Sequence, residues 1–309
     1  MRTVGLTLLS ATLTASAAIG QVSPSGPRME PVRRIRPMSP PPAFAGDETR
    51  LAMDLSQSVP IVSVTIGGKG PFRFLVDTGA GGHGRITPAL AEALALTPSG
   101  EATAGDGSGR TQTRKTYRID SLELGQVRFS GVELSEVPLP RGRLQRIDGV
   151  LGLGLFASHT LVLDYPRAAL SLSRASLPAG APAYTPDPRG LVMPVSIGAE
   201  TIPAHIDTGN ALAPLILPTE VAERLPRRGE PRVTGRAATA MSTMEVREVD
   251  ISGPVRVAGV TLPITAATYP ALGENGNLGS KAFAGAVLRI DQRSRRLQIE
   301  LPAPPRPPR

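Results

Sequence analysis

From about residue 48 to 301 the chain is a succession of short apolar runs, each closed by turn-forming residues. The run 59–66 (VPIVSVTI) stops at Gly67-Gly68, and the run 72–76 (FRFLV) stops at Asp77-Thr78-Gly79. Residues 117–124 alternate polar and apolar and stop at Gly125. Residues 161–165 and 169–172 flank Pro166, which reads as a hairpin. Short β-branched runs with this punctuation predict strands. Helical pattern is rare. The best case is residues 87–94, where Thr87 suits a cap, Pro88 suits the first helical position, and Ala and Leu propagate. The expected fold is mostly β.

The order of these runs repeats. Phe74-Leu75-Val76-Asp77-Thr78-Gly79-Ala80 returns 130 residues later as Ala204-His205-Ile206-Asp207-Thr208-Gly209-Asn210. Pro88 returns as Pro218 at the same spacing. Gly149-Val150-Leu151-Gly152 is echoed by Gly276-Asn277-Leu278-Gly279, and Leu161-Val162-Leu163-Asp164 by Leu288-Arg289-Ile290-Asp291, both 127 residues on. Four landmarks in one order at nearly constant spacing predict two homologous lobes, 48–178 and 188–301, related by pseudo-twofold symmetry. A short helix is expected after each Asp-Thr-Gly loop. Residues 182–190 read as the connection.

Composition narrows the chemistry. Aromatics make up 3% of the chain and Trp is absent, so Val, Leu, Ile and Ala must fill the core. With no cysteine, disulfides, thiolate nucleophiles and Cys-bound metals are excluded. The three histidines, His83, His159 and His205, lack the close spacing of a helical zinc motif, so no metal and no cofactor is expected. The net charge of +8 is carried in good part by the ends: Arg28, Arg33, Arg34, Arg36, Arg306 and Arg309. No basic helix or basic-aromatic platform appears, so no nucleic-acid partner is expected.

The ends also read differently from the middle. Arg2, an apolar run from Val4 to about Leu13 and small residues at Ala15-Ser16-Ala17 or near Gly20-Gln21 resemble a signal peptide, taken as 1–20. The run is too short to span a bilayer stably. An uncleaved anchor is the alternative; otherwise the mature chain is expected to be a periplasmic or secreted monomer without membrane insertion. Residues 21–47 and 302–309 are rich in Pro and Arg and read as linker and tail.

Two apolar strands each ending in Asp-Thr-Gly are the strongest chemical signal. One such triplet is expected on the order of 0.05 times in a chain of this length, so a pair at matching repeat positions is specific. Two carboxylates brought together by symmetry cannot both ionise cheaply and share a proton. One is then a base and the other an acid at the same pH, fit to activate a water and protonate a carbonyl oxygen. Gly79 and Gly209 allow backbone N–H groups close to the carboxylates, and Thr78 and Thr208 are placed to bond across the junction. The bland alternative is a pair of Asp residues closing turns.

At these residues the chain resembles the pepsin/retropepsin-like aspartic peptidases. Asp77-Thr78-Gly79 and Asp207-Thr208-Gly209 match the family's first motif, and Val150-Leu151-Gly152 its supporting segment. The resemblance implies catalytic Asp77 and Asp207, an extended polypeptide substrate in a cleft between lobes, and no cofactor. It also implies a flap, for which Gly105, Asp106, Gly107, Ser108 and Gly109 are the candidates; an ordinary hairpin turn is the alternative. The second-lobe counterpart, residues 235–242, has a single glycine and is expected to be stiffer. Asn210 stands where Ala or Ser is usual, and Asn277 replaces an apolar residue. Asn210 is expected to bond Asp207 or reshape its loop. His205 is expected to fill core or surface space. A serine-nucleophile loop, a dinucleotide loop and a calcium loop all lack the required residue order. The rival function is a catalytically inactive lobe pair that binds extended peptides.

Overall fold

The computed structural model describes residues 42–105, 111–138, 146–238, 243–271 and 273–301. Among them the chain forms strands with two short α-helices. The first half contains β1 (Glu48–Ala52), β2 (Ile61–Ile66), β3 (Lys69–Asp77), β4 (Gly84–Ile86), α1 (Pro88–Ala93), β5 (Gly100–Gly105), β6 (Thr111–Ile119), β7 (Leu122–Leu124), β8 (Val127–Phe129), β9 (Val132–Glu136), β10 (Gly149–Gly152), β11 (Thr160–Asp164) and β12 (Ala169–Ser173). The second contains β13 (Thr185–Asp187), β14 (Gly190–Ile197), β15 (Glu200–Asp207), β16 (Leu215–Ile216), α2 (Thr219–Arg224), β17 (Arg227–Ala238), β18 (Thr243–Ile251), β19 (Val255–Val257), β20 (Val260–Leu262), β21 (Ala266–Tyr269), β22 (Gly276–Gly279), β23 (Val287–Asp291) and β24 (Arg296–Glu300).

The repeat in sequence is a repeat in topology. One sheet runs β5-β6-β9-β4-β10-β3-β2-β7-β8, and another runs β17-β18-β21-β16-β22-β15-β14-β19-β20, with β13 added beside β14. Every strand of the first has its counterpart at the same place in the second. In each, the strand that ends in Asp lies antiparallel to its predecessor and parallel to a Gly-X-Leu-Gly strand. The register sets Asp77 against Gly152 and Asp207 against Gly279. The helices follow as expected. Thr87 caps α1 by accepting from Leu90 N at 3.3 Å. Pro218 is the cap of α2 rather than its first residue, and no side chain bonds there.

The third sheet, β1-β12-β11-β23-β24, draws on both halves. The two echoed segments pair with each other, Thr160 opposite Asp291 and Asp164 opposite Val287. Repeated apolar strands whose edges are both unpaired satisfy their backbone groups most simply this way. A continuous core runs through all three sheets. Four of the six phenylalanines, Phe74, Phe129, Phe156 and Phe283, are fully buried in it. At about 2–3 kcal/mol each, they offset the scarcity of aromatics elsewhere.

One boundary needs correction. The linker assigned to 21–47 ends earlier, because Ala43 bridges Arg128, Phe44 packs on the core and the Arg174 guanidinium stacks 4.7 Å over the Phe44 ring. A single anchored aromatic overrides the Pro-rich composition around it. The connection 182–190 is also structured: Ala183 bridges Arg296, and β13 pairs with β14. Residues 1–20 and 302–309 lie outside the described residues. No helix among the described residues is long and apolar enough to cross a membrane.

Candidate active site

Val76 and Ile206 are fully buried, and the strands they belong to end at Asp77 and Asp207, which are partly buried. Alternation along a strand sends Val76 and Ile206 into the core and turns each carboxyl to the other face. The two loops are tied by reciprocal bonds. Thr78 Oγ1 donates to Ile206 O at 2.6 Å and accepts from Thr208 N at 3.1 Å. Thr208 Oγ1 donates to Val76 O at 2.7 Å and accepts from Thr78 N at 3.1 Å. Both threonines are fully buried. Each hydroxyl thus satisfies two backbone groups of the opposite loop that water cannot reach.

This lock sets the carboxyls face to face. A Cβ on Gly79 would lie 2.7 Å from Asp207 Cγ, and one on Gly209 would lie 2.7 Å from Asp77 Oδ1, so neither position admits a side chain. Gly79 N donates to Asp77 Oδ1 at 2.8 Å, and Gly209 N to Asp207 Oδ1 at 3.1 Å. Burial first, then the neighbouring Asp77 charge, push the Asp207 carboxyl up to about 7. A hydrogen bond with Asp77 adds to this, while donors from Asn277 and Gly209 oppose it. The pair therefore holds a proton far above the usual carboxylate range.

Residues 62–155 match the aspartyl protease family. Over this stretch the chain is similar to the aspartic peptidases. The match takes in β2 through β10, and with them the Asp77 loop and the strand that supports it. No curated protein matches the chain with significance.

Around this shared frame the two halves of the chain differ. Beside Asp77 lies a small apolar cluster of Val59, Ile61, Leu75, Ala80, Ile147 and Val150, with Ala211 of the second half packed on it. At the matching places beside Asp207 the register puts His205 for Leu75 and Asn277 for Val150, with Asn210 for Ala80. The Asn210 backbone N donates to Asp207 O at 3.2 Å, but the Asn210 side chain bonds Asn277 and Leu212 N rather than the Asp207 carboxyl. Asn277 Nδ2 donates to Asp207 Oδ2 at 2.8 Å, and Asn210 Nδ2 donates to Asn277 Oδ1 at 2.7 Å. The sequence flagged Asn277 only as an odd residue; its role needed the β15–β22 register. His205 is buried, with Nε2 3.3 Å from Asn275 Nδ2 and 3.9 Å from Asp187 Oδ1. Burial and the Arg189 charge hold it below its usual range, against the opposing pull of Asp187.

Among the described residues no cluster of His, Asp and Glu could hold a metal ion. Gly105, the first flap candidate, ends β5, and Thr111 begins β6, which pairs with β5. Asp106, Gly107, Ser108 and Gly109 themselves fall outside the described residues. β17–β18 is the counterpart hairpin in the second sheet, longer on its first arm.

Proposed function

We propose that the chain is an aspartic endopeptidase that hydrolyses peptide bonds of an extended polypeptide, with Asp77 and Asp207 as a catalytic dyad supplied by two lobes of one chain. The observation that carries this reading is the coupled carboxyl pair held by the threonine lock, with its proton retained up to about 7. One ionised and one neutral carboxyl coexist through the mildly acidic range. The ionised member takes a proton from a water, whose oxygen attacks the substrate carbonyl carbon. The neutral member gives its proton to the carbonyl oxygen, so the tetrahedral carbon carries two hydroxyls. Collapse breaks the C–N bond, and the proton taken from water passes to the leaving nitrogen. Acid and amine leave, and the pair regains its single proton.

The substrate chain is expected to bind extended, through backbone hydrogen bonds along the strands with side-chain pockets giving selectivity. The hairpins β5–β6 and β17–β18 occupy the same end of their respective sheets and are proposed as covers for it. The signal-like residues 1–20 support export to the periplasm or beyond, testable by sequencing the N-terminus of the mature chain. The functional test is digestion of a peptide library read by mass spectrometry between pH 4 and 8. Metal-independent internal cleavage is expected from the wild type. Tight peptide binding with no cut at any pH points to the binding-only alternative.

A further inference from the structure

We propose that Asn277, clamped by Asn210, is a positioning residue for the proposed reaction: it locks the rotation of the Asp207 carboxyl and makes Oδ2 of that carboxyl a fixed acceptor, a constraint that Asp77 lacks. The inference rests on the peptidase reading of the pair and adds a functional asymmetry to it.

The orientation of both amides follows from one backbone group. Leu212 N–H donates to Asn210 Oδ1 at 2.8 Å. An N–H can only donate, so the oxygen of Asn210 must face Leu212 and its NH2 must face the other way. That NH2 lies 2.7 Å from Asn277 Oδ1, which fixes the second amide in turn. The Asn277 NH2 is then the group at 2.8 Å from Asp207 Oδ2. It can donate there and cannot accept. A proton on Asp207 therefore cannot point from Oδ2 toward Asn277. With Gly209 N on Oδ1, the carboxyl is pinned at both oxygens.

Asp77 has only half of this arrangement. Gly79 N donates to its Oδ1. The residues at the matching positions, Ala80 and Val150, are buried and apolar and offer no donor. The relay is thus peculiar to the second half, and it lies on the face the dyad uses.

A donor aimed at a carboxylate favours its charged form. Asn277 therefore opposes the upward push from burial and from Asp77. The other charged or titratable groups bearing on this region are His205 on the same strand, Asp187 and Arg189 beside it, Lys281, which donates to Leu212 O at 3.4 Å, and Tyr165, which bonds Ser280 at 2.9 Å and feels the Asp207 charge. None of these donates to Asp207 among the bonds described, so the relay is the adjustable element.

Three variants test the proposal: Asn277→Val, Asn210→Ala, and the double variant Asn210→Ala/Asn277→Val. The double variant copies the Ala80/Val150 arrangement that the first half already tolerates, and it strands no buried amide. Melting curves check that each variant is folded. In the double variant the basic limb of the kcat/KM pH profile, on which Asp207 ionises, is expected to move up by about one unit, the worth of one hydrogen bond to a charged group. kcat is expected to fall about tenfold as the carboxyl gains rotational freedom, with KM little changed. Asn210→Ala should shift that limb the same way by less, because Asn277 keeps its donor but loses its clamp. An unshifted profile in the folded double variant overturns the proposal.

A second readout does not depend on cleavage. The ¹³C carboxyl resonance of Asp207, assigned by its loss in Asp207→Asn, is followed from pH 3 to 9 in wild type and double variant. An upward shift in its titration supports the Asn277 role even if the wild type cuts no peptide, in which case the peptidase reading alone fails. Cleavage by the wild type with coincident Asp207 titrations leaves the peptidase reading intact and refutes the positioning role.

Discussion

The surroundings of Asp77 and Asp207 are built on one frame and finished in opposite ways. Each carboxylate ends a strand flanked by the same neighbours, receives an N–H from the glycine two residues on, and is locked by a threonine of the other half. The frame is what the pair needs in order to meet. The finish is where they differ: Leu75, Ala80 and Val150 around Asp77, but His205, Asn210 and Asn277 around Asp207. Beside Asp207 the amide donor opposes the upward push of burial and of the facing charge. Duplication makes two identical half-sites, and the proposed acid–base pair needs two unequal ones. The polar finish on one side is a direct way to make them so.

The frame is the more sensitive part. Thr78→Val leaves Ile206 O and Thr208 N without partners, and Thr208→Val does the same to Val76 O and Thr78 N. Each is expected to cost about 3 kcal/mol in denaturant titration, and the two within about 1 kcal/mol of each other. A large inequality between them breaks the claim that the frame is symmetric.

The next effect reads the charge coupling. Asp207 holds its proton to about 7 in the folded chain, while an unperturbed carboxyl ionises near 4. The folded state therefore binds the proton more tightly. The stability this gives is fully present below the unfolded value and is lost as pH rises through about 7. Asp77→Asn removes the facing charge. Its stability is expected to fall less than that of the wild type between pH 4 and 8, by on the order of 2 kcal/mol in unfolding midpoints. Parallel pH curves for the two proteins contradict the coupling.

The smallest effect contrasts the two helices. α1 has a side-chain cap from Thr87, and α2 has none at Pro218. Thr87→Ala is expected to cost about 1 kcal/mol in the same titration. A neutral result would make the capped and uncapped helices energetically alike.

Much of the frame was readable in the residues themselves. Strand periodicity, the Asp-Thr-Gly pair and the Thr87-Pro88 helix start are local signals, and the repeat ties them into two halves. What escaped was non-local. That residues 160–164 pair with 287–291 depends on which edges remain open once each sheet has formed. Phe44 holds the end of a segment whose composition alone reads as linker. The Asn210–Asn277–Asp207 relay joins positions 67 and 70 residues apart, visible only when β15 and β22 are in register.

The claim at the centre is that Asp77 and Asp207 work as one proton-sharing unit. It is tested most directly by single-turnover cleavage of one good peptide by wild type, Asp77→Asn, Asp207→Asn and the double variant. Each single variant is expected to lose at least about a thousandfold, and the double variant no more than either single, because half a dyad is no dyad. Losses that multiply in the double variant, or a single variant that cuts at the wild-type rate, would contradict it.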